Sequence, residues 1–235
     1  MEEKKINKGL TSFRAFAFLA VYFYHLNYEL IGGYLGVQAF FVLSGFLITP
    51  ILFDMKREFK GWEYLINFYG RRALRILPLY YLFLVIAAVF FYVAGSNSDW
   101  ADNSIVSNEI ERESSAALNS FAWLSVYAGN FVQATADWKP SYSLAPLWSL
   151  AVEEQFYLFW PLVVLCVPRR FARIFLILAM AAGPIFRFTF VYYGSQGLIP
   201  NLNQDRLDLA LYVLPFTYID AFAIGGFFAM YLKSY

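Results

Sequence analysis

Charged side chains are scarce in this 235-residue sequence, at 15% of positions, where an average soluble domain carries about a quarter. The 18 basic and 17 acidic residues nearly cancel, leaving a formal net charge of +1. No bulk field therefore recruits nucleic acid, and each basic residue must be read by its position. There is one cysteine, Cys166, which excludes an internal disulfide, and one histidine, His25. With so few soft ligands, no spacing suits a metal ion. Neither a glycine-rich phosphate loop nor a G-x-S-x-G elbow occurs, and no internal repeat is visible. The N-terminal MEEKKINKGLTSFRAF sets lysines before an apolar run, as a signal peptide does. No small-residue cleavage site follows, however, and Arg14 and His25 interrupt the run, so it reads as a retained first helix.

Hydrocarbon stands where charge is missing. The chain is 60% hydrophobic and 21% aromatic, with a mean hydropathy of +0.51. Its apolar residues gather into runs of about 20, the length that crosses a hydrocarbon core of about 30 Å. The fold class this implies is all-α: a polytopic transmembrane helical bundle of about seven membrane segments, forming a single integral-membrane domain over 1–235. Spans are expected at about 9–28, 36–53, 73–95, 149–167, 171–193 and 209–232, with a shorter apolar segment at about 116–132. Lysine and arginine set the orientation. Lys56, Arg57, Lys60, Arg71, Arg72 and Arg75 cluster between the second and third spans, which places that loop and the N-terminus in the cytoplasm. For Arg169, Arg170 and Arg173 to share that face, the stretch near 116–148 must double back as a re-entrant hairpin. Irregular backbone at membrane depth is tolerated only inside protein or beside water, so this hairpin should wall a cavity.

Charges within the apolar runs are the functional candidates. Arg14 and His25 are eleven positions apart, which puts them about 20° apart around one helix and about 16 Å apart along it. Snorkelling of Arg14 and a hydrogen-bonded core role for His25 are the plain alternatives. In LWSLAVEEQFYLFWP, Glu153 and Glu154 sit early in the fifth span among Trp148, Tyr157 and Trp160. Adjacent helical residues point about 100° apart, so one carboxylate can face the interior beside His25. A carboxylate near the one histidine is a candidate general-base pair, in which imidazole takes a hydroxyl proton. Simple helix N-terminal charge complementarity competes with this. Arg71, Arg72 and Arg75 enter the third helix at spacings that share a face. They suit either membrane anchoring or the phosphates of a cytosolic ligand. Pro78, further along that helix, invites a kink that could open a space. Ser44 beside Gly45 reads as a close-packing feature rather than a nucleophile, and Asn130 is a further pocket candidate. From these residues alone, a proton-coupled transporter using His25 and Glu153 or Glu154 as a relay remains an alternative to an enzyme.

The R-x10-H pair Arg14/His25, the segment GYLGVQAFFVLSGFLIT, the run RRALRILPLYY and LWSLAVEEQFYLFWP, in that order over residues 10–161, resemble the membrane-bound acyltransferase family 3. PFTYIDAFAIGGFFAM is similar to a weaker family element built on an aspartate, here Asp220, although Tyr218 and Ile219 stand where an arginine is expected before it. The resemblance implies O-acylation: transfer of an acyl group, most often acetyl, from cytosolic acyl-CoA to a hydroxyl of a carbohydrate or lipid-linked glycan of the cell envelope. On the same resemblance His25 is the essential histidine, Arg14 its arginine partner and the basic run at 71–75 a functional segment. The expected setting is the bacterial cytoplasmic membrane, among its lipids, with no metal and no nucleic acid. Family members are longer, so the chain is expected to be incomplete at its C-terminus.

Overall fold

The computed structural model describes residues 8–26, 35–97, 104–134, 141–199, 202 and 204–232, with the side chains of Lys8, Thr11, His25, Gln204 and Asp205 outside that description. Regular structure among the described residues is entirely helical: α1 (Lys8–His25), α2 (Leu35–Glu58), α3 (Gly61–Ser96), α4 (Ser104–Ser125), α5 (Gly129–Gln133), α6 (Leu147–Cys166), α7 (Ala172–Ser195), α8 (Gln204–Val213) and α9 (Ile219–Leu232). Among the described residues, five stretches are long and apolar enough to cross a membrane, namely α2, α3, α6, α7 with the 3-10 turn Arg169–Phe171 before it, and α9 with the 3-10 turn Pro215–Tyr218 before it. α1 contains a shorter apolar helix, Ser12–Tyr24. The protein is an all-α polytopic membrane bundle.

Side-chain contacts fix the helix directions. Along α2 and α6, Ser44 meets Glu153, Thr49 meets Trp160 and Lys56 meets Val164, so these helices run parallel. Tyr64 bonds to Pro161 and Tyr69 to Leu158, so α3 runs against them. α9 lies parallel to α2, with Phe41 against Tyr218 and Thr49 against Gly226, and at very close approach, because a Cβ on Gly45 would lie 1.9 Å from Phe222 O and one on Gly225 1.8 Å from Val42 O. Small residues let membrane helices gain dispersion contacts where burial from water drives nothing. α7 opposes α9, with Trp160 beside Phe175 near its start and Gly194 against Leu207 at its end. This alternation matches the directions read from the charges. Basic residues accordingly gather at one end, where Arg169 pairs with Asp54 at 3.3 Å. There Lys56 Nζ donates to Val164 O, Leu165 O and Val167 O at 3.0, 2.6 and 2.9 Å. A cation on orphan carbonyls at a helix C-terminus stabilises it by about 0.3–1 kcal/mol, and by more when partly buried.

Three boundaries differ from the sequence reading. The third span was expected from about residue 73, yet α3 begins at Gly61 and runs 36 residues, about 54 Å. Its basic middle does not end the helix, because Tyr64 and Phe68 are buried in the core on that stretch. The expected span at about 209–232 is broken at Pro215, which has no N–H to continue α8. The segment at about 116–132 belongs to α4, which starts earlier, and to α5.

α4 folds back along α3, with Tyr80 Oη donating to Leu124 O at 2.7 Å and Tyr81 Oη to Ser125 O at 2.9 Å. α5 then lies beside the middle of α6, its Asn130 fully buried and paired with Gln155. That is about 12 Å from the start of α6. α5 thus buries Gly129, Asn130 and Gln133, while Val126 and Phe131 on either side of its start stay exposed.

Glu113 pins α4 to the loop that leads into α6. Its carboxylate accepts from Ser141 Oγ at 2.6 Å and from the backbone N–H of Ser143 and Tyr142 at 2.9 and 3.2 Å. Burial alone would raise the Glu113 pKa, but these bonds outweigh it and hold the carboxyl below its ordinary value of 4.5. A group depressed in this way adds stability that is complete above the unfolded pKa and lost as the pH falls through the folded one. Glu113→Gln is therefore expected to cost about 1–2 kcal/mol at neutral pH. In thermal unfolding of the detergent-solubilised protein the deficit should shrink below about pH 4, and an equal deficit at both pH values would contradict the assignment.

Candidate active site

Polar atoms inside this bundle converge on the first half of α6. Ser44 Oγ, in α2, donates to Glu153 Oε1 at 2.5 Å, and Tyr157 Oη, one turn on in α6, donates to the same oxygen. The Ser44 and Tyr157 hydroxyl oxygens are 3.0 Å apart. Ser44 is buried because Gly45 beside it lets the Phe222 backbone close in. Small residues at one crossing thus set the depth at which the hydroxyl meets the carboxylate. Arg72, from α3, lays its guanidinium carbon 3.9 Å from the centroid of the Tyr157 ring. This is a cation–π contact that ties the cation to the same cluster.

Two glutamates adjacent in sequence have different neighbours. Glu153 is held from the α2 side, whereas Glu154 faces α3 and the α4–α5 turn, within electrostatic reach of Arg72, Tyr80 and Tyr127. Below them an amide pair braces α6. Gln155 Nε2 donates to Asn130 Oδ1 at 2.9 Å and to Tyr127 O at 2.7 Å, and Asn130 Nδ2 donates to Val213 O at 3.1 Å. Val213 is the last residue of α8 before the Pro215 break, and Asn130 supplies a donor to its carbonyl there.

The sequence candidates separate as follows. Ser44, Tyr157, Glu153, Glu154 and Arg72 come together. Arg71 and Arg75 are exposed on α3, with Arg71 Nη2 3.2 Å from Met55 Sδ. Arg14 is exposed on α1. The backbone of His25 ends α1, and its side chain lies outside the described residues. Its neighbour Tyr24 approaches Tyr212, whose hydroxyl is pushed up by burial and then by Tyr24. Tyr212 in turn sits 4.6 Å, ring to ring, from Trp148 at the start of α6. Trp148 is buried in an aromatic cluster with Phe41, Tyr212 and Tyr218. The bland reading of Ser44 as a packing serine is incomplete, because its hydroxyl also holds Glu153. The three arginines and the two glutamates were expected at opposite ends of the bundle. α3 instead begins at Gly61, ahead of its basic run, so Arg72 lies inside the helix and reaches the level of Tyr157.

Asp220 finds its arginine in space rather than in sequence. Arg187 of α7 donates to Asp220 Oδ2 and Oδ1 at 2.6 and 3.1 Å and also to Thr217 O. Gly183, one turn earlier, leaves room for the Asp220 carboxyl, since a Cβ there would lie 2.7 Å from it. The signal that would have found Arg187 is its isolation in an apolar helix. Tyr80 and Tyr127 carried no such signal, because tyrosine is common throughout this chain.

Among the described residues no group of three or more His, Cys, Asp or Glu could hold a metal ion. What the residues form is a cluster of half-buried carboxylates, buried hydroxyls and one half-buried guanidinium inside a helical membrane protein. The chain belongs to the membrane-bound acyltransferase family 3: the family model described as an acyltransferase domain matches residues 7–235. It is 35% identical over 169 residues to the O-acetyltransferase OatA of Staphylococcus aureus, covering 69% of this chain and 25% of that protein. It is also 35% identical over 161 residues to the putative peptidoglycan O-acetyltransferase YrhL of Bacillus subtilis, covering 66% of this chain and 23% of that one. A putative O-acetyltransferase of Staphylococcus aureus is 31% identical over 211 residues, covering 84% of this chain and 30% of its own. The matched region thus spans about a quarter of the first two relatives. No solved structure matches the chain.

Proposed function

We propose that this chain transfers an acetyl group from acetyl-CoA to a hydroxyl of an envelope carbohydrate, with peptidoglycan as the acceptor. Support for the acceptor comes from the names of the relatives. The observation that carries the reading is the convergence of Arg72, Glu153 and Glu154 within one polar cluster in the bundle. The donor is held at Arg71 and Arg75, whose exposed guanidinium groups suit the phosphates of coenzyme A. Its thioester reaches inward to Arg72, which steadies charge developing on the carbonyl oxygen. His25, with Arg14 as its partner on α1, takes the proton of the acceptor hydroxyl. The hydroxyl oxygen then bonds to the acyl carbon, the carbon–sulfur bond breaks, and the proton passes to the departing thiolate to give the free thiol. Glu153, fixed by Ser44 and Tyr157, orients and stabilises the imidazolium. The basic end of the bundle faces the cytoplasm of a bacterium, and the protein lies in the inner membrane with its N-terminus inside.

The test is to supply inner-membrane vesicles containing this chain with acetyl-CoA labelled in the acetyl group. Label is expected in peptidoglycan as a base-labile ester, at a level absent from vesicles without the chain. Proton or solute flux without acyl transfer would overturn the reading in favour of a carrier.

A further inference from the structure

The Ser44–Glu153–Tyr157 cluster leaves one part of the site unexplained. Among the described residues, two side-chain polar atoms are fully buried without a hydrogen-bond partner, Glu154 Oε1 and Tyr127 Oη. They belong to one neighbourhood, since Tyr127 and Glu154 interact electrostatically. The groups around them are occupied. Tyr80 Oη gives its proton to Leu124 O, and Gln155 is shared between Tyr127 O and Asn130. Buried polar atoms of native proteins nearly always find a partner, so an orphaned acceptor and an orphaned hydroxyl in one neighbourhood call for a guest that serves both.

The backbone is bent to place this hydroxyl. Tyr127 has φ +54°, the one non-glycine residue with positive φ among those described. That conformation is disfavoured for a bulky side chain and persists only where its surroundings impose it. Here Gln155 Nε2 grips Tyr127 O at 2.7 Å, and the tyrosine ring stacks on Tyr80 with centroids 4.3 Å apart. Both ends of the residue are clamped, with its hydroxyl buried from solvent.

We propose that Glu154 and Tyr127 form the seat of a hydroxyl group of the carbohydrate acceptor. Glu154 Oε1 accepts its O–H and Tyr127 Oη donates to its oxygen, so the pair selects for a group that is donor and acceptor at once. An apolar substituent at that position would strand both atoms again, and a site of this kind discriminates strongly against the analogue lacking the hydroxyl. The two glutamates then have separate tasks, Glu153 on the catalytic side and Glu154 on the acceptor side. Arg72 lies over the ring of Tyr157, which holds Glu153, and within electrostatic reach of Glu154. This assignment rests on the acyl-transfer reading for the identity of the guest, but the seat itself follows from the two orphaned atoms.

Binding of the peptidoglycan disaccharide, N-acetylglucosamine linked to N-acetylmuramic acid, to the detergent-solubilised full chain tests it without activity. Tyr127→Phe keeps the stacked ring and removes only the hydroxyl. It should weaken disaccharide binding about 3–10-fold, and Glu154→Gln about tenfold or more. Tyr64→Phe, which removes a structural bond to Pro161 O elsewhere in the bundle, should lower thermal stability and leave binding unchanged. In transfer assays the two seat variants should raise the KM for the disaccharide while the KM for acetyl-CoA stays the same. Unchanged binding in both, or failure of the parent chain to bind the disaccharide, would overturn the seat. Intact binding with no acyl transfer by the parent chain would remove the proposed reaction and leave the seat standing.

Discussion

Glu153→Ala is expected to lower acyl transfer by about 10²–10⁴-fold, the span that a positioned acid–base partner contributes. The expectation comes from how firmly the carboxylate is held. Two hydroxyl donors, Ser44 and Tyr157, converge on one oxygen, so the group keeps its orientation at no cost when substrate arrives. His25→Ala should lose activity over the same range, and the double variant should lose little more than either alone, because residues that act as one unit are far from additive. Ser44→Ala removes one of the two donors and should cost about tenfold, with binding of acetyl-CoA unchanged. The measurement is the initial rate of label transfer in vesicles, normalised to folded protein. A double variant whose loss is the product of the single losses would show that His25 and Glu153 act separately. A Glu153→Ala chain with parental activity would remove this carboxylate from the mechanism.

Gly225→Leu is expected to prevent the bundle from assembling. The first carbon of the new side chain would fall 1.8 Å from Val42 O, and the obstacle is backbone of α2, which has no rotamer to move away. The α2–α9 crossing must open, and it is this crossing that presses Phe222 against Phe156, rings stacked at 3.9 Å, and sets Ser44 toward Glu153. Overpacking a tight interface costs about 3 kcal/mol or more when the backbone must part. Gly70 provides the contrast. It lies inside α3 with nothing within 4 Å of a Cβ, so Gly70→Ala should be neutral or stabilise by about 0.5–1 kcal/mol. Melting temperature and monodispersity in detergent distinguish the two. Parental values for Gly225→Leu would show that α2 and α9 do not pack as described.

The parts of this protein legible in its sequence are those set by solvent. Runs of apolar residues must lie in hydrocarbon with their backbone bonds closed internally, so the all-α membrane bundle follows from composition and length. The alternation of helix directions follows from where lysine and arginine accumulate, since charge is costly to carry across a membrane. The same cost made Glu153 and Glu154 conspicuous before any contact was known.

Contacts between distant segments were beyond that reach. The basic run at Arg71–Arg75 looked like the edge of a span because position in the chain gives no depth. Tyr64, Phe68 and Tyr69 pack α3 along α6 before that run begins, and this brings Arg72 to Tyr157. Arg187 completes Asp220 from another helix, which no local pattern encodes. Ser44 looked like a packing residue because its partner is 109 positions away. Composition and charge order by themselves determined that this chain is a helical membrane protein and which carboxylates are out of place in it. Tertiary structure alone decided that those carboxylates share a cluster with Arg72 and Ser44. Helix crossings depend on small-residue contacts and interhelical hydrogen bonds, and these exist only once the helices are side by side.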